Sequence, residues 1–215
     1  MTQQSDFFSF LSPDIKIYEM KSHLEVQEKI IAHLQPETAL ERQLLHEQVF
    51  LEGLQWGVPR YGHPEGEIYK HVKEVNDNID RLTIDAATRT KLRIISFAHD
   101  TFKHIEDKRR PRDWSKHHGI LARRFMESFL DDELLLNIIE LHDEAYYCWR
   151  MIKLYQQVEK GQKRLQFLFS KVEGGIQLFY LFFKCDTLTG DKNLAPLKWF
   201  ESSIAGIELT ELSPK

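Results

Sequence analysis

Ten histidines stand in this chain of 215 residues, and histidine is the commonest protein ligand for metals. Their neighbours are as telling as their number. His71 stands alone, His99 is followed by Asp100, His117 by His118, His142 by Asp143, and Asp186 comes last. Most of these lie on or beside a row of apolar residues with helical spacing. His71 precedes Val72 by one residue and Val75 by four. His99 follows Ile95 by four, His142 follows Ile138 by four and Ile139 by three, and Asp186 follows Phe183 by three. On a helix such spacings share a face, so these side chains are expected to converge on one interior. A buried imidazole or carboxylate has to be paired or bound to metal. Where several converge, a divalent cation is the economical partner. Mixed nitrogen and oxygen donors without a thiolate suit Mn, Fe, Co, Ni or Zn, with Mg also compatible, and do not suit a structural zinc site. Each residue alone has a blander reading. A lone histidine is more often a hydrogen-bonded core residue, Asp186 reads as a helix-end polar residue, and His117 reads as a surface loop residue.

The elements that must position these residues are helical almost throughout. Gly and Pro are sparse, 10 and 7 in the chain, and no stretch alternates with period two. A loose helical pattern over 13–35 (Tyr18, Leu24, Ile30, Ile31, Leu34) leads to Pro36, which opens a second helix carrying Leu40, Leu44, Leu45 and Val49. The breaker cluster over 53–66 reads as a long loop. Five helices are then expected, over 67–85, 87–105, 119–130, 132–158 and 161–185, the last with a break at Gly174-Gly175, followed by a short helix near Leu197 to Ile207. No repeat or low-complexity tract interrupts them. The expectation is an all-α, single-domain bundle, with residues 1–60 as a helical extension packed on the core, 61–190 as the main domain and 191–215 as a tail.

Composition narrows the function classes. Lys and Arg number 29 against 33 Asp and Glu, a formal net charge of −4. That argues against a whole-protein electrostatic grip on nucleic acid and against sequence-specific DNA binding. No apolar run reaches membrane-spanning length, and no leader of the basic-then-apolar kind opens the chain. With two cysteines, Cys148 and Cys185, a disulfide framework is ruled out and a reducing, cytoplasmic setting is expected.

Residues 62–72 read Gly-His-Pro-Glu-Gly-Glu-Ile-Tyr-Lys-His-Val, and 97–103 read Phe-Ala-His-Asp-Thr-Phe-Lys. With Trp114-Ser-Lys-His-His-Gly-Ile-Leu-Ala, Leu141-His142 and Cys185-Asp186, this resembles the HD-domain metal-dependent phosphohydrolase superfamily. The similarity is greatest to the HD domain of bacterial tRNA nucleotidyltransferases. It covers residues 61–190. The resemblance implies His71, His99, Asp100 and Asp186 as the ligands of one ion, and His118 and His142 as ligands of a second ion or of a substrate phosphate, hence one or two divalent ions per chain. His118 is preferred to His117 because the family's small residue four positions on is met by Ala122. Lys103 matches the family's lysine after the His-Asp pair. Two departures stand out. Residues 1–60 contain no Gly-Ser followed by paired aspartates, so no nucleotidyltransferase head is implied. Asp143 occupies a position where many relatives carry His or Glu.

The implied chemistry is hydrolysis of a nucleotide or related phosphate ester. A divalent ion brings bound water toward neutral pKa, and neutralising charge is the main task in attacking an anionic ester. Asp100 and Lys103 are the expected catalytic pair. Lys103, four residues after His99, would share its helical face. Arg109, Arg110, Arg112 and Lys116 are expected to form a basic rim that steers a small phosphorylated substrate, and Glu65 and Glu67 to support ligand histidines or simply to begin a helix. Trp114 reads first as an anchor for its loop and second as a stacking surface. Other HD-like chains are di-iron oxygenases, and a non-catalytic phosphate- or nucleotide-binding module is a third class. The expected partner is a small phosphorylated substrate with no membrane, and a homo-oligomer is compatible with the sequence.

Overall fold

The structure, a computed structural model, describes residues 13–214, with side chains from Leu24 onward. The side chain of Tyr18 and the N-terminal dozen residues lie outside that description. Eleven α-helices make up the described chain, with no β-strand among them. The all-α reading therefore holds.

The helices start where side chains can satisfy their free N–H groups. Thr38 and Glu41 form a reciprocal capping box at α2 (Ala39–Leu44). Asp85 caps α5 (Ala86–Ala98), and Asp132 caps α7 (Glu133–Leu141). The long α1 (Pro13–Leu34) packs on α4 (Ile68–Ile79), and α4 packs in turn on α5 and on α10 (Ile176–Thr187). Residues Phe179, Tyr180 and Phe182 of α10 are fully buried. α6 (His118–Met126) lies along α7, and α8 (Glu144–Trp149) packs against α9 (Val158–Lys171) and α11 (Ala195–Ser203).

Several expected helices are shorter than the sequence suggests. The stretch from Pro36 holds two helices, α2 and α3 (Gln48–Gln55), with a turn between them. The expected helix over 87–105 stops at Ala98; a 3-10 turn, Thr101–Ile105, follows. The one expected over 132–158 is cut after Leu141, restarts as α8 at Glu144 and ends in a π-helical turn, Arg150–Leu154. The break anticipated at Gly174-Gly175 is present between α9 and α10. The unexpected interruptions coincide with His99-Asp100 and His142-Asp143. Burying these polar groups against one another outweighs continuing the helical ladder.

Two glycines set the closest approaches. A Cβ on Gly53 would stand 1.9 Å from the carbonyl oxygen of Thr101, and one on Gly119 would stand 2.3 Å from that of Glu140. Without side chains there, α3 seats against the turn just after Asp100, and the start of α6 seats against the end of α7.

Candidate metal centre

His71 extends the buried face of α4 and is fully buried with Val72 and Val75. His99 and His142 are the C-caps of α5 and α7, while Asp186 lies in the last turn of α10. Three helix C-termini thus end at one place, where their partial negative charge favours a cation. His118 enters from the first turn of α6.

The atoms separate into two groups that share Asp100. In the first, His71 Nε2 stands 3.3 Å from His99 Nε2, 2.9 Å from Asp186 Oδ1 and 3.8 Å from Asp100 Oδ2. His99 Nε2 stands 3.5 Å from Asp100 Oδ2 and 3.8 Å from Asp186 Oδ1. In the second, His118 Nε2 and His142 Nε2 are 3.2 Å apart, and each is 3.4 Å from Asp100 Oδ1. Asp143 Oδ2 joins this group at 3.5 Å from His118 and 3.7 Å from His142. Ligands at about 2.1 Å from one ion stand about 3.0 Å apart at octahedral angles and about 3.4 Å apart at tetrahedral ones. The spacings in both groups lie near this range.

Hydrogen bonds behind the imidazoles fix which nitrogen faces inward. A carbonyl can only accept, so His99 Nδ1–H donates to Ser96 O (2.9 Å) and His142 Nδ1–H to Ile139 O (2.8 Å). In the neutral rings both Nε2 atoms then present lone pairs to the centre. Carboxylates stand behind the other two rings: Glu65 Oε1 is 3.3 Å from His71 Nδ1, and Glu106 Oε2 is 3.4 Å from His118 Nδ1. Such outer partners orient ligand histidines. Asp100 Oδ1 is buried without a hydrogen-bond partner, although two imidazole nitrogens face it. An orphaned carboxylate oxygen facing the Nε2 atoms of His118 and His142 fits a cation between them.

Electrostatics agree. Burial, with Phe182 packed edge-on to the ring, pushes His99 down to about 3, and the Asp100 charge only partly offsets this. Burial also opposes charge on His142, but Asp143 and Asp100 outweigh it and raise the group to about 9. Asp100 and Asp186 are held well below the ordinary carboxylate range. Burial works against that, but the Lys103 charge at Asp100 and the Lys192 charge at Asp186 prevail, helped by the neighbouring histidines. Buried Arg93 is engaged elsewhere, with Glu41 at 2.8 Å, and does not neutralise the carboxylates of the centre.

A cleft of about 300 Å³ opens onto the centre, with Asp100, His142, Asp143 and Asp186 in its lining. Lys103 lines it, its Nζ 2.5 Å from Asp100 Oδ2. The geometry differs from the expected shared helical face: α5 has ended, and Lys103 reaches back from the 3-10 turn three residues on. Lys192 was not anticipated. Its Nζ donates to Asp186 Oδ1 (2.8 Å) and to the Asp186 carbonyl (3.0 Å). The turn that carries it docks on the 60–66 loop, where Gly62 N–H donates to Asp191 Oδ1 at 2.5 Å. His63, on that loop, also lines the cleft and contacts Glu65 at 2.9 Å.

Other expectations change. His117 is buried, not a surface loop residue. It caps α6: Gly119 N–H donates to His117 Nδ1 at 3.2 Å. A neutral His117 therefore carries its proton on Nε2, the opposite tautomer to His99 and His142, and His118 takes the inward position. The basic run lies outside the cleft lining. Arg109 pairs with Asp107 (2.7 Å), Arg112 pairs with Glu106, and Lys116 lies 3.5 Å from Asp113, while Arg110 is exposed. Local acids neutralise most of the expected rim. Glu67 pairs with Lys70 at 2.6 Å, the role of a helix-start acid, whereas Glu65 faces His71.

No helix among the described residues is long and apolar enough to cross a membrane. The His/Asp cluster is compatible with an HD-type metal site. Comparison of the chain with protein-family models, with curated proteins and with solved structures finds no match.

Proposed function

We propose that the chain is a metal-dependent phosphohydrolase acting on a small phosphate ester. The observation that carries this reading is Asp100, whose two oxygens face two separate histidine sets across one carboxylate. His71, His99, Asp100 and Asp186 would hold one divalent ion, and His118, His142 and Asp100 a second. When bound, such ions lower the pKa of coordinated water and neutralise the charge of a phosphate.

The protein's own groups serve the same task. Lys103 and Lys192 flank the carboxylates at the cleft, and each presents an ammonium group where an anionic ester would enter. Burial disfavours charge on Lys103, yet Asp100 and Asp143 raise its pKa, so it stays cationic. It can therefore stabilise charge that grows on phosphate oxygens as the ester bond breaks. His99 stays neutral and available as a ligand. Phe182, fully buried, packs edge-on against its ring.

The test is to strip the metal, reload with Mn, Fe, Co, Ni, Zn or Mg, and follow phosphate release from a panel of esters. Activity should return with at least one ion and be lost in Asp100→Asn. Oxygen consumption by the iron-loaded protein, with no phosphate release under any metal, would refute the hydrolytic reading in favour of an oxygenase.

A further inference from the structure

The lining of the cleft divides by chemistry. Asp100, Lys103, Asp143, Asp186 and Lys192 carry charge, as His142 does in the metal-free chain. The remainder is uncharged, and five of its residues bear polar groups: Tyr61, His63, Tyr146, Thr187 and Asn193. These stand close to the charged ones. Thr187 follows Asp186 and Asn193 follows Lys192, one step of about 3.8 Å along the backbone. Tyr146 lies three residues after Asp143, about one helical turn. Their hydrogen-bonding capacity is open. Among the described residues no hydrogen-bond partner meets the hydroxyls of Tyr61, Tyr146 or Thr187. The Asn193 side-chain oxygen accepts from Ala195 N–H at 2.9 Å, which leaves its amino group to donate. His63 Nδ1–H donates to Glu65 at 2.9 Å, so in the neutral ring Nε2 is left to accept. Tyr61 is 80% exposed, and among the described residues no cation or second aromatic ring lies on its face.

We propose that this uncharged wall binds the hydroxyl groups of a sugar or sugar alcohol, so that the ester hydrolysed is a phosphorylated polyol. The proposal rests on the phosphohydrolase reading of the cleft and names the group that leaves. Water attacks phosphorus, the bond from phosphorus to the sugar oxygen breaks, and that oxygen takes one of water's protons. The products are inorganic phosphate and the free polyol. Hydroxyl side chains both donate and accept, as the hydroxyls of a polyol do, and Asn193 and His63 add one donor and one acceptor. An alkyl or acyl chain would cover all five groups and leave them unpaired. A charged leaving group would meet no counter-charge on this wall. The open Tyr61 ring has a negative face, which suits the C–H bonds of a sugar ring. Size points the same way. The cleft, at about 300 Å³, stands at the small end of ligand sites, which run from about 300 to 1,000 Å³. The phosphate has to share it, which leaves space for one small polyol and not for a base carried beyond it.

The test uses the full-length, metal-loaded protein and calorimetric titration with two phosphonates that ester hydrolysis leaves intact. One is the methylene-phosphonate analogue of glucose 6-phosphate. The other is methylphosphonate, which has the anion without the polyol. The sugar analogue should bind roughly tenfold or more tightly, the scale of two or more neutral hydrogen bonds. Asn193→Ala and Tyr61→Ala change exposed residues, and Thr187→Val keeps the side chain's shape while removing its hydroxyl. Each should weaken the sugar analogue by roughly 2- to 10-fold, the scale of one such bond, and leave methylphosphonate binding unchanged. Equal affinity for the two phosphonates, or variants that shift both together, would overturn the proposal. The two exposed positions keep the test decisive should Thr187→Val fail to fold. The second readout is kcat/KM, which should be higher for glucose 6-phosphate than for butyl phosphate or adenosine 5′-monophosphate; the reverse order would also overturn it. The two readings fail separately. Hydrolysis of all three esters without preference removes the polyol site and leaves the hydrolase. Variant-sensitive binding of the sugar analogue with no ester hydrolysed supports the polyol site and removes the hydrolase.

Discussion

Replacing Asp100 by Asn exchanges one carboxylate oxygen for an amide nitrogen and removes a charge that two sets of histidines face. The amide nitrogen has no lone pair for a metal, so one set loses its oxygen donor outright and the other keeps a neutral one. Two unit charges about 4 Å apart at an effective dielectric near 20 interact by about 4 kcal/mol, roughly a thousandfold in affinity. A ligating oxygen stands closer than that and faces a doubly charged ion, so a thousandfold weakening is the minimum expected. In the metal-free chain Asp100 also answers the Lys103 ammonium at 2.5 Å. Removing one member of a buried pair costs about 3–5 kcal/mol. The Lys103 side chain is 16% exposed and has Asp143 as a further partner, which places the cost at the lower end. About 3 kcal/mol corresponds to a fall of roughly 6–12 °C in Tm for a chain of this size. Adding Lys103→Met to Asp100→Asn removes the orphaned charge, so Tm should partly recover while metal affinity does not. The assays are a chelator-competition titration for affinity and thermal unfolding of metal-free protein. Metal affinity in Asp100→Asn within threefold of the unsubstituted chain would refute the role of Asp100 as the shared ligand.

Lys103→Met alone keeps much of the side chain's packing and should retain metal while turnover falls by roughly 10²–10³, the scale of one lost contact to developing charge; steady-state hydrolysis beside metal analysis checks this. His142→Ala should lower bound metal from two equivalents to one while His71, His99 and Asp186 hold the other, as elemental analysis of reloaded protein would show; unchanged stoichiometry with weakened substrate binding would make His142 a phosphate contact. For pH, the metal-free His142 value of about 9 lies above the ordinary 6.5, so its contribution to stability is full below about 6.5 and is lost as pH rises through about 9. Metal-free Tm should therefore fall across that window, and metal uptake within it should release a proton, measurable by calorimetry in buffers of different ionisation enthalpy. Gly119→Ala places a Cβ 2.3 Å from Glu140 O, so α6 must shift from α7; a loss of about 1–3 kcal/mol is expected, with weaker metal binding at His118, read by urea unfolding and metal titration.

What could be read from the sequence, and what could not, follows from the range of each signal. His71, His99, His142 and Asp186 stand three or four residues from apolar neighbours, so helical periodicity alone directed them inward. The breaks at His99-Asp100 and His142-Asp143 left no such trace. The apolar row Leu135, Ile138, Ile139, Ala145, Trp149 runs on through the second break without Gly or Pro, and the pattern read as one helix. The interruption comes from tertiary contacts between the polar residues themselves. Lys192 and Glu106 were missed because chain closure brings them to the site: the 190–192 turn docks on the 60–66 loop, and Glu106 returns from the end of the 3-10 turn to His118. Their best sequence signal was proximity to a site residue, six after Asp186 and six after Asp100. His117 was misplaced because its polar neighbours suggested solvent, while its function as a helix cap is one usually filled by Ser, Thr, Asp or Asn.

The charge balance of the cleft ties its two proposed ligands together. Its lining carries the carboxylates of Asp100, Asp143 and Asp186 against the ammonium groups of Lys103 and Lys192 and, in the metal-free chain, a protonated His142, so side chains alone leave it near neutral, with no net attraction for a phosphate. A single divalent ion would make it positive even after His142 gives up its proton, and a second would make it strongly positive. The lysines cannot do this alone, since each is already engaged with a carboxylate, Lys103 with Asp100 and Lys192 with Asp186. An ion that took over those carboxylates would release both ammonium groups to face an anion. Metal and phosphate would therefore favour each other's binding twice over, by direct attraction and by freeing lysines, and the coupling would have to be reciprocal. On this argument Lys103 and Lys192 guard the carboxylates against mutual repulsion before loading and serve the anion after it. That gives a physical reason for basic residues to stand so close to a centre built to attract cations.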